Sequence, residues 1–332
     1  MKNSAFALLF VLIPIGAAAS SAIVDTAFVI EAIKRGATLW DVRSAELYRK
    51  GHLPGAVNIG DATQILRNPN TEDFIPVSQI ERLLGSAGID PSAEIVVYAG
   101  RGSPNAYFGL YTLRYFGAGR AYVYHDGIDG WRDAGRPAST EIPRPAPVTL
   151  RLRPDPGIVV TTEQMLAAMK RQDAQVVDVR TPGEFRGDDI RAIRGGHIPG
   201  AVNIPYEQNW VDPDTAIRLA RGQVKDNAGM TLKSAAELRR LYAGLDPAKE
   251  TIVYCQSGTR AAESATVLAE LGFRDVKIYD SSWLGYAGVL SAPANNEVFL
   301  NVGALNARLS ALQARIEQLE RELAEAKGKR QP

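Results

Sequence analysis

The 332-residue chain contains a single cysteine, Cys255, in the stretch "TIVYCQSGTRAA" over residues 251–262. Free cysteines are among the most buried residue types, and a lone one is more often packing than nucleophile. The setting of Cys255 argues for chemistry instead. An apolar run ends on it and a helical pattern begins about five residues later, which puts it at the polar end of a strand. Gln256, Ser257, Gly258, Thr259 and Arg260 lie between. A strand–loop–helix connection containing a glycine can turn several backbone N–H groups inward as an anion nest. The helix N-terminus adds a partial positive charge and Arg260 a full one. Each of these favours thiolate over thiol, and the thiolate is the reactive form. The carboxyl end of a strand in an open α/β sheet is also where ligands bind.

Composition narrows the alternatives. The net charge of +1 disfavours nucleic-acid binding driven by phosphate neutralisation. One cysteine excludes an intrachain disulfide. With only His52, His125 and His197 beside it, a thiolate-rich zinc site is also disfavoured. No metal or other cofactor is therefore expected.

The elements that must hold the cysteine occur twice. "LWDVRSAEL" at 39–47 returns as "VVDVRTPGEF" at 176–185, and "GHLPGAVNI" at 51–59 as "GHIPGAVNI" at 196–204. "EIVVYAGRGSPNA" at 94–106 matches "TIVYCQSGTRAA", and "VYHDGIDGW" at 123–131 matches "IYDSSWLGY" at 278–286. The offset grows from 137 residues (Asp41 to Asp178) to 155 (Tyr124 to Tyr279), so two copies of one unit differ by insertions. Short β-rich runs alternate with helical patterns in each copy, which implies α/β units with a parallel sheet covered on both faces by helices. After Cys255, the helical period offers Ala262, Ala265, Leu268 and Ala269 for packing. The domains are read as 23–137 and 158–295, joined by a proline-rich stretch, 138–157, that cannot sustain a helix.

The two ends differ from the repeats. Residues 1–22 place Lys2 before a broken apolar stretch and end in small residues, with cleavage expected after Ala19 or Ala22. That is the order of a secretory signal, too short for a comfortable membrane span, and it predicts an exported, periplasmic protein with no lasting span. At the other end, 300–328 carries Leu305, Leu309, Leu312, Ile316, Leu319, Leu323 and Ala326 at 4-3 spacing, an a/d heptad seam. With Leu309, Ile316 and Leu323 at a, a parallel pair sets Arg315 against Glu320 and Glu322 against Lys327 of the partner, and both pairings attract. Two readings stand: an amphipathic helix docked on its own domain, or a homodimer.

The tandem repeat, the paired "DVR" and "GH(L/I)PGAVNI" motifs, "VYCQSGTRA" and "YDSSW" together resemble the two-domain rhodaneses, a sulfurtransferase family. The resemblance spans about residues 23–290. It implies that the second domain carries the active cysteine and that the first is catalytically silent. Ala99 stands where Cys255 does, and Pro104 where Arg260 does, so the first copy has neither nucleophile nor matching cation. The implied chemistry is ping-pong transfer of a sulfane sulfur. Cys255 takes it from thiosulfate or a similar donor as a persulfide and passes it to cyanide or a thiol. Cysteine phosphatases use a similar cradle with one more residue between cysteine and arginine. The shorter loop here suits a protruding sulfur better than a phosphate.

Two-domain thiosulfate and mercaptopyruvate enzymes of the family tend to carry a substrate arginine shortly after the D-x-R strand. Glu184 takes that place here, and Arg186, two residues on, is the candidate to reach the anion. The donor is read as thiosulfate, with 3-mercaptopyruvate as the alternative. Two further readings of function are a persulfide carrier that works with a protein partner and a repeat that only binds. Asp41–Arg43 and Asp178–Arg180 recur in both copies and are expected to be structural ion pairs. His52 and His197 are expected to tie down loops, and Asp280 and Trp283 to be structural parts of the second domain.

Overall fold

The computed structural model describes residues 21–171 and 173–328. The signal-like segment lies almost wholly outside them. The first unit runs β1 (Ile23–Val24), α1 (Thr26–Lys34), β2 (Thr38–Asp41), α2 (Ala45–Lys50), α3 (Ala62–Ile65) and α4 (Val77–Ser86). It continues with β3 (Ile95–Tyr98), α5 (Pro104–Tyr115), β4 (Ala121–Tyr124) and α6 (Gly127–Asp133). Its four strands are parallel, in the order β1-β4-β3-β2.

The second unit opens with β5 (Val159–Val160), α7 (Thr162–Arg171), β6 (Gln175–Asp178), α8 (Pro182–Arg186), β7 (Arg194–His197) and β8 (Val202–Asn203). After α9 (Thr215–Ala220) and α10 (Ala235–Leu241) come β9 (Thr251–Tyr254), α11 (Thr259–Glu270), β10 (Val276–Tyr279) and α12 (Ser282–Gly288). Its parallel sheet has the order β5-β10-β9-β6-β8, with β9, the strand that ends at Cys255, in the middle. β11 (Asn295–Phe299) pairs antiparallel with β7, and α13 (Val302–Gly328) follows.

The repeated motifs do the same structural work twice. Asp178 accepts from the Arg180 side chain at 2.6–3.1 Å, and Arg180 also donates to the Gly196 carbonyl at 2.7 Å. Asp41, Arg43 and Gly51 repeat the arrangement. Both aspartates are fully buried, so each pair holds its strand end to the following loop in a dry setting where a broken pair would be costly. His52 bonds the carbonyls of Tyr48 and Glu141 and stacks on Tyr48; His197 bonds the Phe185 carbonyl and stacks on Phe185. Both histidines hold a loop, and His52 also reaches 89 residues along the chain to the Glu141 carbonyl.

The two domains share one core. A single apolar cluster contains Val97, Phe108 and Leu110 of the first domain together with Val253, Cys255, Ala261 and Leu268 of the second. Its centre is the packing of α5 against α11. This is why α11 is buried all round, Glu263 and Ser264 included, whereas its sequence displays a one-sided stripe. One face meets its own sheet and another meets the equivalent helix of the other copy. The proline-rich connection is extended, as its composition requires, and it is strapped to the first domain. The Val148 amide donates to the Gly85 carbonyl at 2.9 Å, the Leu152 amide donates to Glu81 at 2.8 Å, and Leu150 is buried.

Candidate functional site

Cys255 directly follows β9 and is 1% exposed. Its own amide donates to Ser282 Oγ at 3.1 Å, and its carbonyl accepts from the Trp283 amide at 3.0 Å, so α12 fixes its backbone from behind. Gln256 is held in the same way: its carbonyl accepts from the Leu284 amide at 3.0 Å, and its side-chain amide donates to the Arg191 carbonyl at 2.8 Å. Gly258 is the N-cap of α11 at φ +86°; a Cβ there would come within 2.8 Å of the Asp280 carbonyl, so both conformation and space require glycine. None of the backbone N–H groups from Gln256 to Arg260 donates to a protein acceptor among the described residues. The loop therefore offers a run of unspent donors at the start of a twelve-residue helix, the arrangement that receives an anion.

Arg260 does not stand alone. Its two terminal nitrogens donate to both oxygens of Glu184 at 2.7 and 2.8 Å, a bidentate pair between α11 and α8. Burial alone would raise the Glu184 carboxyl. Arg260 reverses this, with help from the Thr181 amide, and holds it at about 2. Burial likewise works against the Arg260 charge, and Glu184 together with Cys255 more than restores it, leaving a permanent cation next to the thiol. Thr181 and Glu184 form a capping box on α8, which fixes the carboxylate before it meets Arg260.

The first domain reaches this loop directly. Arg67 donates through both terminal nitrogens to Asp280 at 2.7 Å each, and Asp280 is the residue whose carbonyl and carboxylate crowd Gly258. Arg67 also donates to the Glu72 carbonyl at 2.6 Å and lies over the rings of Phe74 and Phe108. Ser281 adds a 3.1 Å bond to Asp73. Asp280, expected to be a structural part of the second domain, is also an anchor between the domains. Trp283 is buried, donates to the Arg194 carbonyl and stacks on Tyr286, in keeping with a structural part.

A cavity of about 450 Å³ opens at this junction, lined by Gln64, Arg67 and Asn68 from the first domain and by Arg191, Ser257 and Thr259 from the second. Arg186 is not among its lining residues. It is 59% exposed and paired with Asp188 at 2.9 Å at the end of α8. The cation at the mouth is Arg191, 57% exposed and only 3.3 Å from Glu184. Sequence reasoning missed Arg67 and Arg191. Neither sits in a repeated motif, and the Arg67–Asp280 pair spans 213 residues. The signal within reach was the Thr-x-x-Glu capping box, which marks Glu184 as a fixed carboxylate.

Comparison with known proteins agrees with this geometry. The rhodanese-like domain model matches residues 26–134 and again 161–288, and the chain belongs to that family. It is 35% identical over 265 residues to a putative thiosulfate sulfurtransferase of Mycobacterium leprae, covering 74% of this chain and 86% of the relative. It is 34% identical over 248 residues to the thiosulfate sulfurtransferase of Azotobacter vinelandii, with the same coverage. Among solved structures, the anaerobic ergothioneine biosynthesis enzyme from Chlorobium limicola has the same fold, with a TM-score of 0.70 at 20% identity over 83% of this chain and 70% of that one. The protein is a sulfurtransferase enzyme with two rhodanese-like domains.

Proposed function

We propose that the enzyme moves a sulfane sulfur from thiosulfate to a nucleophilic acceptor, cyanide or a thiol, through a persulfide on Cys255. The observation that carries this reading is the cysteine at the strand end, followed by five unspent loop amides and by an arginine locked in place by Glu184. In the first half-reaction the Cys255 thiolate attacks the outer sulfur of thiosulfate. A sulfur–sulfur bond forms to the cysteine, the bond inside thiosulfate breaks, and its electron pair leaves with sulfite. The product is a persulfide anion, for which preorganised N–H donors serve better than a general base. In the second half-reaction the acceptor attacks the terminal sulfur, and the thiolate is released. No second cysteine exists in the chain to resolve the persulfide internally, so the sulfur must pass outward. Arg191 at the mouth is the side chain suited to guiding an anionic donor inward.

The signal-like residues 1–22 support export to the periplasm, where inorganic sulfur compounds are more accessible than cytosolic mercaptopyruvate. The test is turnover of thiosulfate with cyanide by purified protein, together with intact mass after thiosulfate alone. Cys255→Ser should abolish turnover and the gain of one sulfur atom. Turnover that survives Cys255→Ser overturns the mechanism. A persulfide that forms but passes only to a protein acceptor identifies a carrier, and turnover restricted to 3-mercaptopyruvate reassigns the donor.

A further inference from the structure

The C-terminal helix poses a separate question. α13 spans 27 residues, about 40 Å of helix at 1.5 Å per residue, and every residue described along it is exposed. Val302, Leu305, Leu309, Leu312, Ile316, Leu319 and Leu323 are 41–56% exposed, so the helix is not docked on its own domain. A helix of this kind needs tertiary or quaternary contact to be stable in water.

Its pattern specifies the contact. The apolar residues keep the strict a/d spacing, giving a narrow seam; a helix that docks on a globular face presents a broader stripe. The flanks carry both charge signs in alternation: Arg308, Arg315 and Arg321 against Glu317, Glu320, Glu322 and Glu325. That mixture gives no basic face for an anionic lipid surface. It does match itself, because in a parallel, in-register pair the g residue Arg315 meets the e residue Glu320 of the partner, and the reverse contact repeats across the twofold axis. The helix is also firmly rooted. β11 pairs with β7, buried Arg194 holds Glu297 of β11 and the carbonyls that end α12, and the Leu300 amide donates to the Ile193 carbonyl at 3.0 Å.

We propose that α13 is the dimerisation element of this enzyme, pairing with α13 of a second copy as a parallel two-stranded coiled coil. The rooted attachment then carries both catalytic domains at the N-terminal end of the coil.

The test is the mass of the purified full chain by sedimentation equilibrium or light scattering. The expected result is twice the chain mass at micromolar concentration, falling to the chain mass in Leu312→Glu with sulfurtransferase turnover per chain retained. Arg315→Glu should weaken association severalfold, and Arg315→Glu combined with Glu320→Arg should recover it. In a Cys255→Ser background, Leu305→Cys and Leu319→Cys should each cross-link to its own copy on oxidation. A chain that stays monomeric throughout overturns the proposal, as does a trimer, or cross-linking at only one of the two positions, which marks an antiparallel pair.

Discussion

The two rhodanese-like domains contain the same loop in two states. After Ala99, the Arg101 amide donates to Asp129 at 2.9 Å, the Gly102 amide to the His125 carbonyl at 3.4 Å and the Ser103 amide to the Gly100 carbonyl at 3.1 Å. The Arg101 side chain points its charge into Asp126 and Asp133, and Met230 from the second domain packs on Gly102 so closely that a Cβ there would come within 2.7 Å. His125 completes the closure by bonding Tyr107 and the Met230 carbonyl at 2.8 Å each. After Cys255, the corresponding amides are unspent, and the cation is braced by a carboxylate at its side. The first loop is a turn that uses its amides internally, and the second keeps its amides free of protein acceptors among the described residues. The two loops thus differ in their backbone donors as well as in the thiol.

The comparison extends to what each loop does for the other domain. His125 and Asp280 occupy equivalent repeat positions, and each reaches across the junction, His125 to Met230 and Asp280 to Arg67. The first domain thus contributes to this junction, supplying one wall of the cavity and the anchor behind Gly258.

The largest effect after loss of the thiol should come from Arg260→Met. Turnover should fall at least about 100-fold, as on removal of one preorganised anion-stabilising group. Leaving buried Glu184 with only the longer Arg191 contact and the Thr181 amide should also cost roughly 1–3 kcal/mol of stability. The wild-type carboxyl is held at about 2, below its unfolded value, so its contribution is complete above that unfolded value and is lost as pH falls toward 2. Acid unfolding of Arg260→Met should begin at higher pH, while Arg260→Met with Glu184→Met should regain stability without turnover. A double variant that regains turnover would mean the cation has no chemical role.

Next, Arg67→Ala should lower kcat/KM by on the order of tenfold through the loop behind Gly258. Asp280→Ala should do the same, and the double variant should lose little more, since the two residues act as one unit. Additive losses would show that Arg67 acts separately on substrate at the cavity wall.

A smaller effect is expected at Glu263, a buried residue of α11 with one oxygen accepting from Trp210 Nε1 at 3.0 Å and the other without a partner among the described residues. Burial, with Glu207 nearby, pushes this carboxyl well above its ordinary value, so the folded state keeps a proton that the unfolded chain releases. Stability should fall as pH rises above the unfolded carboxyl value. Glu263→Gln should remove that slope and stabilise by at least about 1 kcal/mol at pH 8, with the advantage vanishing toward pH 4. Identical pH–stability curves for the two proteins would place an ionised Glu263 in the fold.

No gain at all is expected from Ala99→Cys in a Cys255→Ser background. The thiol should fit where alanine does, but thiosulfate should add no sulfur, because the Arg101, Gly102 and Ser103 amides already have acceptors and Pro104 has no N–H to offer. Sulfur uptake at position 99 would show that a thiol alone suffices and that the contrast between the loops has no chemical weight.

Much of this was legible in the chain itself, because it depends on local pattern. Two copies of D-V-R, G-H-x-P-G-A-V-N-I and a strand-ending loop dictate two α/β domains, and the alignment of Cys255 with Ala99 shows that only the second copy carries the thiol. A strand end, a glycine at positive φ and a helix start within six residues are short-range features, so the anion nest is written in consecutive letters. The heptad seam of α13 is equally local. What only the tertiary structure decided are contacts between residues far apart in sequence. Those are the bracing of Arg260 by Glu184, the anchoring of the loop by Arg67, and the placing of Arg191, not Arg186, in the cavity lining. The same is true of the all-round burial of α11 and of the acceptors found by the first loop's amides. Periodicity reports which face of an element is apolar, but a charged side chain's partner depends on where two folded surfaces meet.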